Sequence, residues 1–345
     1  MRRLGRRRAN AMTELAGAPR VGDGDRQCPL PGVEQVARPS GSAFSPGVPR
    51  HEARRELIVL VVVVGVLMTA VDTTIVVLAL PAMERSLHIA LSAVVWVIVA
   101  YILVVTVLAT QVGRLGDMFG RTRMYELGFF IFIIGSALCA TATSETTIIV
   151  FRIVQGLGGA FLTANSGAVL ADAFPRQDRG KAFGYNSIGW NAGAILGILL
   201  GGLIITYASW RWIFWINVPT GTAALALALK VLPGNNPRHR QRLDLIGMAL
   251  LGAGLFGVLW AMTKLATSKL SGSLLVALVG GGVLLVIFVF VERHRAAPLV
   301  NLRLFRIPTF SPTLLAALFQ GLANFAVLFL VLMYLQGVRR LSPLD

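Results

Sequence analysis

Long apolar runs without a charged residue recur along this chain, and they restrict it to folds that cross a lipid bilayer. A helical run of roughly 18 residues or more can cross about 30 Å of hydrocarbon. The chain is 55% hydrophobic and 14% charged over 345 residues, and one soluble core could not bury so much apolar surface. Because backbone polar groups in lipid must be paired within the protein, each run is predicted to be helical. The expected fold class is an all-α membrane protein.

Nine runs are predicted to be membrane-spanning helices. Their approximate limits are 57–80, 91–111, 124–142, 146–171, 182–205, 212–231, 245–263, 273–291 and 310–335. Residues 1–56 are rich in Arg, Pro and Gly and have no apolar period, which predicts a disordered basic tail. No apolar segment follows the basic start closely, so a cleaved signal peptide is not expected.

Lysine and arginine are distributed unequally between the two sides of the predicted spans. With the N-terminus inside, 25 of them lie on the cytoplasmic side, 6 on the opposite side, and Arg152 within a span. The positive-inside rule therefore predicts a cytoplasmic N-terminus and, after nine crossings, an external C-terminus. The formal charge of +16 does not indicate a nucleic-acid partner, because the basic residues lie in a tail and in short loops.

The first span carries a carboxylate near its middle. Asp72 follows fifteen residues without a charge, and burial in hydrocarbon disfavours the ionised form of a carboxyl group. An ionisable group inside the membrane is by default a candidate functional site. Asp72 is therefore predicted to bind a proton, with Thr74 as a polar neighbour. The structural alternative is that Thr69 or a neighbouring helix merely holds the Asp72 side chain.

The fourth span encloses a basic residue, Arg152. A guanidinium in hydrocarbon costs about 2.5–3.5 kcal/mol on insertion scales, so Arg152 requires a partner or a cavity. One interpretation is a role in proton transfer, with Gln155 one turn away as a polar neighbour. The alternative is that Arg152 extends to the nearby end of the span and reaches the membrane interface.

A glycine-rich charged segment connects the second and third predicted spans. Residues 113–123 read G-R-L-G-D-M-F-G-R-T-R, and glycine permits both tight turns and close helix approach. The charge cluster comprises Asp117, Arg121 and Arg123, and the glycines are Gly113 and Gly120. An ordinary positive-inside loop is the alternative interpretation.

A glycine repeat lies in the fifth span. Gly193, Gly197 and Gly201 recur at four-residue spacing and are followed by Gly202, which predicts one smooth helix face for close packing. Ile198 lies within this run.

These strings resemble motifs of the major facilitator superfamily. The segment 113–123 resembles its signature loop, which helps to hold the closed state on the cytoplasmic face. R-x-x-Q-G-x-G at 152–158 resembles its fourth-span motif, whose Arg is linked to proton transfer. The glycine run of the fifth span resembles its antiporter motif, but Ile198 replaces the expected Pro and removes a kink site.

Two further strings resemble the fourteen-span EmrB/QacA-like exporters of that superfamily. They are D-x-T-x-V-x-x-A-L-P at 72–81, where Val77 replaces the usual Asn, and W-R-W-I-F-x-I-N-x-P-x-G at 210–221. The resemblance implies a complete six-helix bundle at 57–231, a loop with two inserted helices at 232–292, and the first helix of a C-terminal bundle at 293–345. The chain is thus expected to be C-terminally truncated.

The resemblance implies a transporter of the inner (plasma) membrane rather than an enzyme. The leading hypothesis is proton-coupled efflux of hydrophobic or cationic compounds, with lipids, protons and the transported compound as partners. Thr74, Gln155 and Asn191 are candidate neighbours of the substrate path. One alternative is a transport-inactive fragment or membrane scaffold that needs the missing half or another subunit, and another is export of a metabolite, siderophore or lipid. Scattered His and Cys residues and the lack of a phosphate-binding loop give no reason to expect a metal or cofactor.

Overall fold

The computed structural model of the chain describes residues 49–234, 243–265, 271–295, 298–300 and 302–332, with the isolated positions 334 and 339. Within these ranges the regular structure is entirely helical. Ten α-helices are present, and a 3₁₀ helix at Leu302–Arg306 precedes the last of them: α1 (Pro49–Leu87), α2 (Leu91–Phe119), α3 (Arg121–Thr141), α4 (Glu145–Ala173), α5 (Arg179–Tyr207), α6 (Trp212–Trp215), α7 (Asn217–Val231), α8 (Leu245–Leu265), α9 (Gly272–His294) and α10 (Phe310–Leu332).

Eight segments of the described chain are long and apolar enough to cross a membrane, and they match the first eight predicted spans. The sixth of these segments, Trp212–Val231, consists of α6 and α7 with a short break between them. The ninth predicted span corresponds to α10. Its apolar part, Phe310–Ala323, is shorter than the eight segments that are long enough to cross a membrane. A ninth crossing stays a prediction.

The first helix begins earlier than the sequence patterning predicts. α1 starts at Pro49, so the last residues of the predicted tail 1–56 are helical rather than disordered. The segment H-E-A-R-R-E at 51–56 contains mostly good helix formers, which allows the helix to continue beyond its apolar part. The tail before residue 49 lies outside the described residues.

The glycine-rich segment 113–123 is likewise more regular than a loop. α2 continues to Phe119 and α3 begins at Arg121, so Gly120 alone separates the two helices. Gly120 has a φ of 102°, a region in which a side chain would be strained. A single glycine thus turns the chain, and the motif lies on two helix ends.

The first seven helices pack into one bundle. α1 lies along α5, α4 packs against both α2 and α3, and α7 contacts α3 and α1. Small residues allow the closest approaches: a Cβ on Gly135 of α3 would lie 2.5 Å from the Cα of Gln155 on α4. This approach fixes the position of α4 relative to α3, and with it the polar residues that α4 carries into the bundle.

The helix pair α8 and α9 packs together and lies against α2. The indole Nε1 of Trp96 donates to the Thr263 hydroxyl at 3.2 Å, and the Trp96 and Phe256 rings lie 5.2 Å apart. Among the described elements, the main contact of α10 is the 3₁₀ helix before it.

Candidate functional site

The centre of the bundle contains an ion pair between α1 and α4. Arg152 Nη1 donates to Asp72 Oδ2 at 2.6 Å, and both side chains are fully buried. Asp72 occupies the middle of α1 because the apolar part of that helix extends on both sides of it. A pair of opposite charges with hydrogen bonds is the arrangement in which buried ions are tolerated.

Gln155 joins the pair from the same helix as Arg152. Its Nε2 donates to Asp72 Oδ1 at 2.8 Å, and its Oε1 accepts from Arg152 Nη1 at 2.8 Å. The residues at positions 152 and 155 lie on one face of α4, since residues three apart on a helix are neighbours. Asp72, Arg152 and Gln155 therefore form a closed triangle of hydrogen bonds.

A third helix contributes to the site at the break between α6 and α7. Asn217, the first residue of α7, directs Nδ2 to Asp72 Oδ1 at 3.5 Å and to Ser136 Oγ at 3.1 Å. The Ser136 hydroxyl in turn donates to the carbonyl of Phe214 in α6 at 2.8 Å. The Asp72 carboxylate is thus held from α4 and α7, and α3 supports it through Ser136.

Arg152 has further contacts with α2 and α6. Its Nε donates to the Val97 carbonyl at 2.8 Å, and its guanidinium lies 4.4 Å from the Tyr101 ring centroid and 5.7 Å from that of Phe214. Its Nη2 finds no hydrogen-bond partner among the described residues. Four helices therefore meet around one guanidinium whose charge only Asp72 balances within the described part of the chain.

The geometry excludes two of the structural alternatives for these two ions, and proton binding at Asp72 stays a prediction. Arg152 does not reach the membrane interface, because its side chain is fully buried and turned toward Asp72. Thr69 does not hold Asp72 either, since its hydroxyl donates to the Val66 carbonyl at 2.8 Å. A neighbouring helix, α4, holds the Asp72 carboxylate.

Two predicted neighbours of the site lie apart from it. The Thr74 hydroxyl is buried and donates to backbone carbonyls of its own helix, at Ala70 and Val71. Asn191 is exposed and donates to the Ser187 carbonyl within α5. Neither makes a hydrogen bond to the Asp72 cluster, and their place on a substrate path stays a prediction.

The charged motif between α2 and α3 reaches α4. Arg121 forms ion pairs with Asp117 at 2.8 Å and with Asp172 at 3.0 Å. Arg121 thereby connects the end of α2 to the end of α4. Gly113 has open space where a Cβ would lie, and Arg123 is exposed on α3.

The glycines of α5 lie against α1. A Cβ on Gly193 would lie 2.7 Å from the Leu67 carbonyl oxygen, one on Gly197 would lie 2.8 Å from that of Val71, and Gly201 faces Ile75. Gly202 is buried beside them. α5 is unbroken at Ile198.

Three residues of these clusters carry no role in the sequence-based interpretation. Asn217 lies in the string 210–221, shortly after the four-residue helix α6. The sequence of this string does not indicate in which direction the Asn217 side chain points. Ser136 is a small polar residue in an apolar helix and is easily taken for packing. Asp172 lies at the end of the fourth predicted span, and only the packing of α4 against α2 reveals its pairing with Arg121.

A bundle of membrane-length helices around a buried, hydrogen-bonded ion pair is typical of a multi-pass membrane protein. The chain belongs to the major facilitator superfamily, because the sequence model of that family matches residues 62–345. The predicted superfamily and the helical membrane fold are thereby confirmed, and the EmrB/QacA-like subfamily stays a prediction.

Several curated proteins are similar in sequence. The tetracenomycin C resistance and export protein of Streptomyces glaucescens is 33% identical over 91% of this chain and 58% of its own length. The putative multidrug resistance protein MdtD of Cronobacter sakazakii is 33% identical over 82% of this chain and 60% of its own. The riboflavin transporter RibZ of Clostridioides difficile is 31% identical over 84% and 62%. The chain spans 43% of the length of the uncharacterized Mycobacterium tuberculosis transporter Rv1877. It thus covers between about two fifths and about three fifths of the length of these relatives.

One solved structure shows the same fold at low sequence identity. The peptide transporter POT, crystallised as a mutant in complex with sulfate, gives a TM-score of 0.52 at 18% identity. The match covers 70% of this chain and 53% of that chain. It supports the fold assignment alone.

Proposed function

We propose that the chain belongs to a proton-coupled exporter of hydrophobic or cationic small molecules, of the EmrB/QacA-like type. The observation that carries the proposal is the buried triangle of Asp72, Arg152 and Gln155. Resistance and export functions in the names of two relatives are compatible with it.

The coupling step follows from the charge balance of the triangle. Asp72 and Arg152 neutralise one another only while Asp72 is ionised. A proton on Asp72 cancels the negative charge and leaves the Arg152 guanidinium without its counter-ion. The guanidinium must then find another acceptor or water, which favours a rearrangement of α1 against α4. Asp72 is the proton-binding group in this proposal, and Arg152 and Gln155 position it.

The Arg121 cluster supplies the second part of the proposed cycle. Arg121 bridges α2 and α4 through Asp117 and Asp172 on the side where α2 ends. Partly exposed ion pairs of this kind can be exchanged at small energetic cost. They are therefore suited to close one side of the transporter reversibly, and the positive-inside distribution makes that side cytoplasmic.

The test is efflux of a fluorescent lipophilic cation from proteoliposomes that contain the full chain, driven by an imposed pH gradient. Wild type is expected to move the dye when the gradient is present and to stop when a protonophore collapses it. Asp72→Asn keeps the side-chain shape and removes the titratable group, so gradient-driven efflux is expected to fall to background.

Glu84→Gln is the matched control, because Glu84 lies on the same helix about three turns from Asp72 and is only partly buried. It is expected to retain wild-type efflux. A monodisperse elution profile shows that each variant is folded. Normal gradient-driven efflux by folded Asp72→Asn would refute the assignment of Asp72. Absence of transport by folded wild type would instead favour the alternative that the chain is transport-inactive alone.

A second candidate keeps transport and changes the transported compound to a metabolite. The observation in its favour is the similarity to a riboflavin transporter. Competition of riboflavin with the dye in the same proteoliposomes distinguishes the two candidates: inhibition by riboflavin supports metabolite export, and its absence supports the drug-type substrate.

A further inference from the structure

Two acidic residues are buried at one end of the α8–α9 pair, away from the Asp72 site. Asp244 immediately precedes α8 and is 3% exposed, and Glu292 lies in the last turn of α9 and is 2% exposed. The end of α2 covers this position: Gln111 Nε2 donates to the Asp244 carbonyl at 3.2 Å. The pair therefore lies on the side of the bundle that carries the 113–123 motif.

Each carboxyl group has one oxygen with a donor and one without. Asp244 Oδ1 accepts from the Gly247 N–H at 2.8 Å, and Glu292 Oε2 accepts from the Val300 N–H at 3.4 Å. Asp244 Oδ2 and Glu292 Oε1 are buried and have no hydrogen-bond partner in the part of the chain that the structure describes. Buried acceptors without a donor are costly, so they indicate that a donor is missing.

The two unsatisfied oxygens converge above one glycine. A Cβ on Gly247 would lie 2.5 Å from Glu292 Oε1 and 2.9 Å from Asp244 Oδ2. The two oxygens therefore approach the same point, one from the start of α8 and one from the end of α9. Leu299 Cδ1 would lie 2.9 Å from the same position, so an apolar side chain closes the space.

A third buried acceptor comes from a different helix. The carboxamide of Gln111 is anchored on Asp244 through its nitrogen, and its Oε1 has no partner among the described residues. Gln111 itself is 4% exposed. Gln111 therefore connects α2 to the backbone of Asp244.

Among the described residues, the surrounding charges do not supply the missing donor. On the segment after α9, Arg295 Nη1 lies 4.0 Å from the already bonded Asp244 Oδ1, and His294 is exposed with Nδ1 beside the Phe290 carbonyl. On α2, Arg114 donates to the Pro298 carbonyl. Two neighbouring carboxylates in such a desolvated position cannot both ionise cheaply.

We propose that Asp244 and Glu292 bind one proton between them, which makes this carboxyl pair a second proton site of the protein. An O–H on either acid donates to the free oxygen of the other and satisfies both. The proton thereby joins the start of α8 to the end of α9, and Gln111 fastens the joined ends to α2. Loss of the proton leaves two adjacent carboxylates, whose repulsion opens this end of the helix pair.

Thermal unfolding of the detergent-purified full chain as a function of pH tests the proposal. The folded pair holds a proton that the separated acids of the unfolded chain release, so its stabilisation is present at low pH and is lost as the pH rises. Wild type is expected to lose several degrees in Tm as the pH is raised from the ordinary carboxyl range, about 4 to 5, to about 9. Glu292→Gln and Asp244→Asn each provide a permanent N–H donor, and either variant is expected to remove most of this dependence.

Glu56→Gln is the control, because Glu56 is an exposed acid on α1, and it is expected to keep the wild-type dependence. A wild-type Tm that is constant or rises over this interval overturns the proposal, whether or not the variants fold. Unchanged dependence in a folded Glu292→Gln or Asp244→Asn variant overturns it too. Stabilisation at high pH by Na⁺ but not by choline identifies a metal cation as the occupant and equally overturns the proton assignment.

Discussion

Asp72 Oδ2 and Arg152 Nη1 lie 2.6 Å apart although their residues are 80 positions apart in sequence. Neither side chain is accessible to solvent, so water does little to screen the two charges from each other. Each ion is tolerated because of the other. The pair therefore couples the position of α1 to that of α4.

We expect this pair to behave as a unit in a double-mutant cycle. Asp72→Asn and Arg152→Met alone each leave an uncompensated buried charge, and each is expected to cost about 3–5 kcal/mol. The double variant contains no buried charge here and is expected to lose much less than the two single losses combined. Reversible unfolding in mixed micelles measures the free energies.

The matched cycle uses Asp117→Asn and Arg121→Met. These side chains are 29% and 24% exposed, so their coupling is expected to stay below about 1 kcal/mol. Additive losses at Asp72 and Arg152 would show that the buried pair is not coupled.

Asn217 is expected to be important for stability, unlike Asn191. Asn217→Ala removes the donor that faces Asp72 and Ser136, and leaving buried acceptors unsatisfied costs about 1–3 kcal/mol. Asn191→Ala changes an exposed side chain that bonds within its own helix, and its effect is expected to remain within about 0.5 kcal/mol. The same unfolding measurement compares them. Equal effects would contradict the role of Asn217 in the cluster.

The two central ions could be recognised from the sequence, but their pairing could not. A charge inside an apolar run is visible in any hydropathy profile. That Asp72 and Arg152 face each other depends on how α1 and α4 are rotated and how deeply each is placed, which the packing of glycines such as Gly135 determines. Asn217 was missed because an uncharged polar residue is tolerated in many helix positions.

Gly120 and Gly113 belong to one motif but are expected to respond differently to alanine. Gly120→Ala places a side chain at a φ of 102° and is expected to cost about 1–3 kcal/mol. Gly113→Ala lies inside α2 with nothing within 4 Å of the new Cβ, so it is expected to be neutral or to stabilise by up to about 1 kcal/mol. Circular dichroism during thermal unfolding measures the stability of both variants. A Gly120→Ala protein as stable as wild type would contradict the strained turn.

Gly197 is expected to be the sensitive glycine of α5. Gly197→Ala directs a methyl group at Thr74 and at the Val71 carbonyl, and overpacking of this kind typically costs about 1–3 kcal/mol. Gly184→Ala, in the same helix, has open space and is expected to stabilise by up to about 1 kcal/mol. Thermal unfolding followed by circular dichroism compares the two variants. Comparable destabilisation of both variants would mean that the contact with α1 does not explain the effect.

The helical conformation of the segment 113–123 could not be predicted from its sequence. Its glycines and charges are typical of a loop, yet only Gly120 leaves the helical conformation. Charged residues at the ends of long helices can extend beyond the hydrocarbon, so composition alone does not separate a loop from a protruding helix. The pairing of Arg121 with Asp172 depends on α4 extending equally far.

The contact between Trp96 and Thr263 has a practical consequence. It attaches α8, and through it α9, to a helix that also packs against the Arg152 helix. A fluorophore placed on the outward side of α9 would consequently travel with the bundle that contains Asp72 and would leave its interior undisturbed. The α8–α9 pair is therefore a suitable place to attach a fluorophore, and single-molecule energy transfer would then report the movement of that bundle.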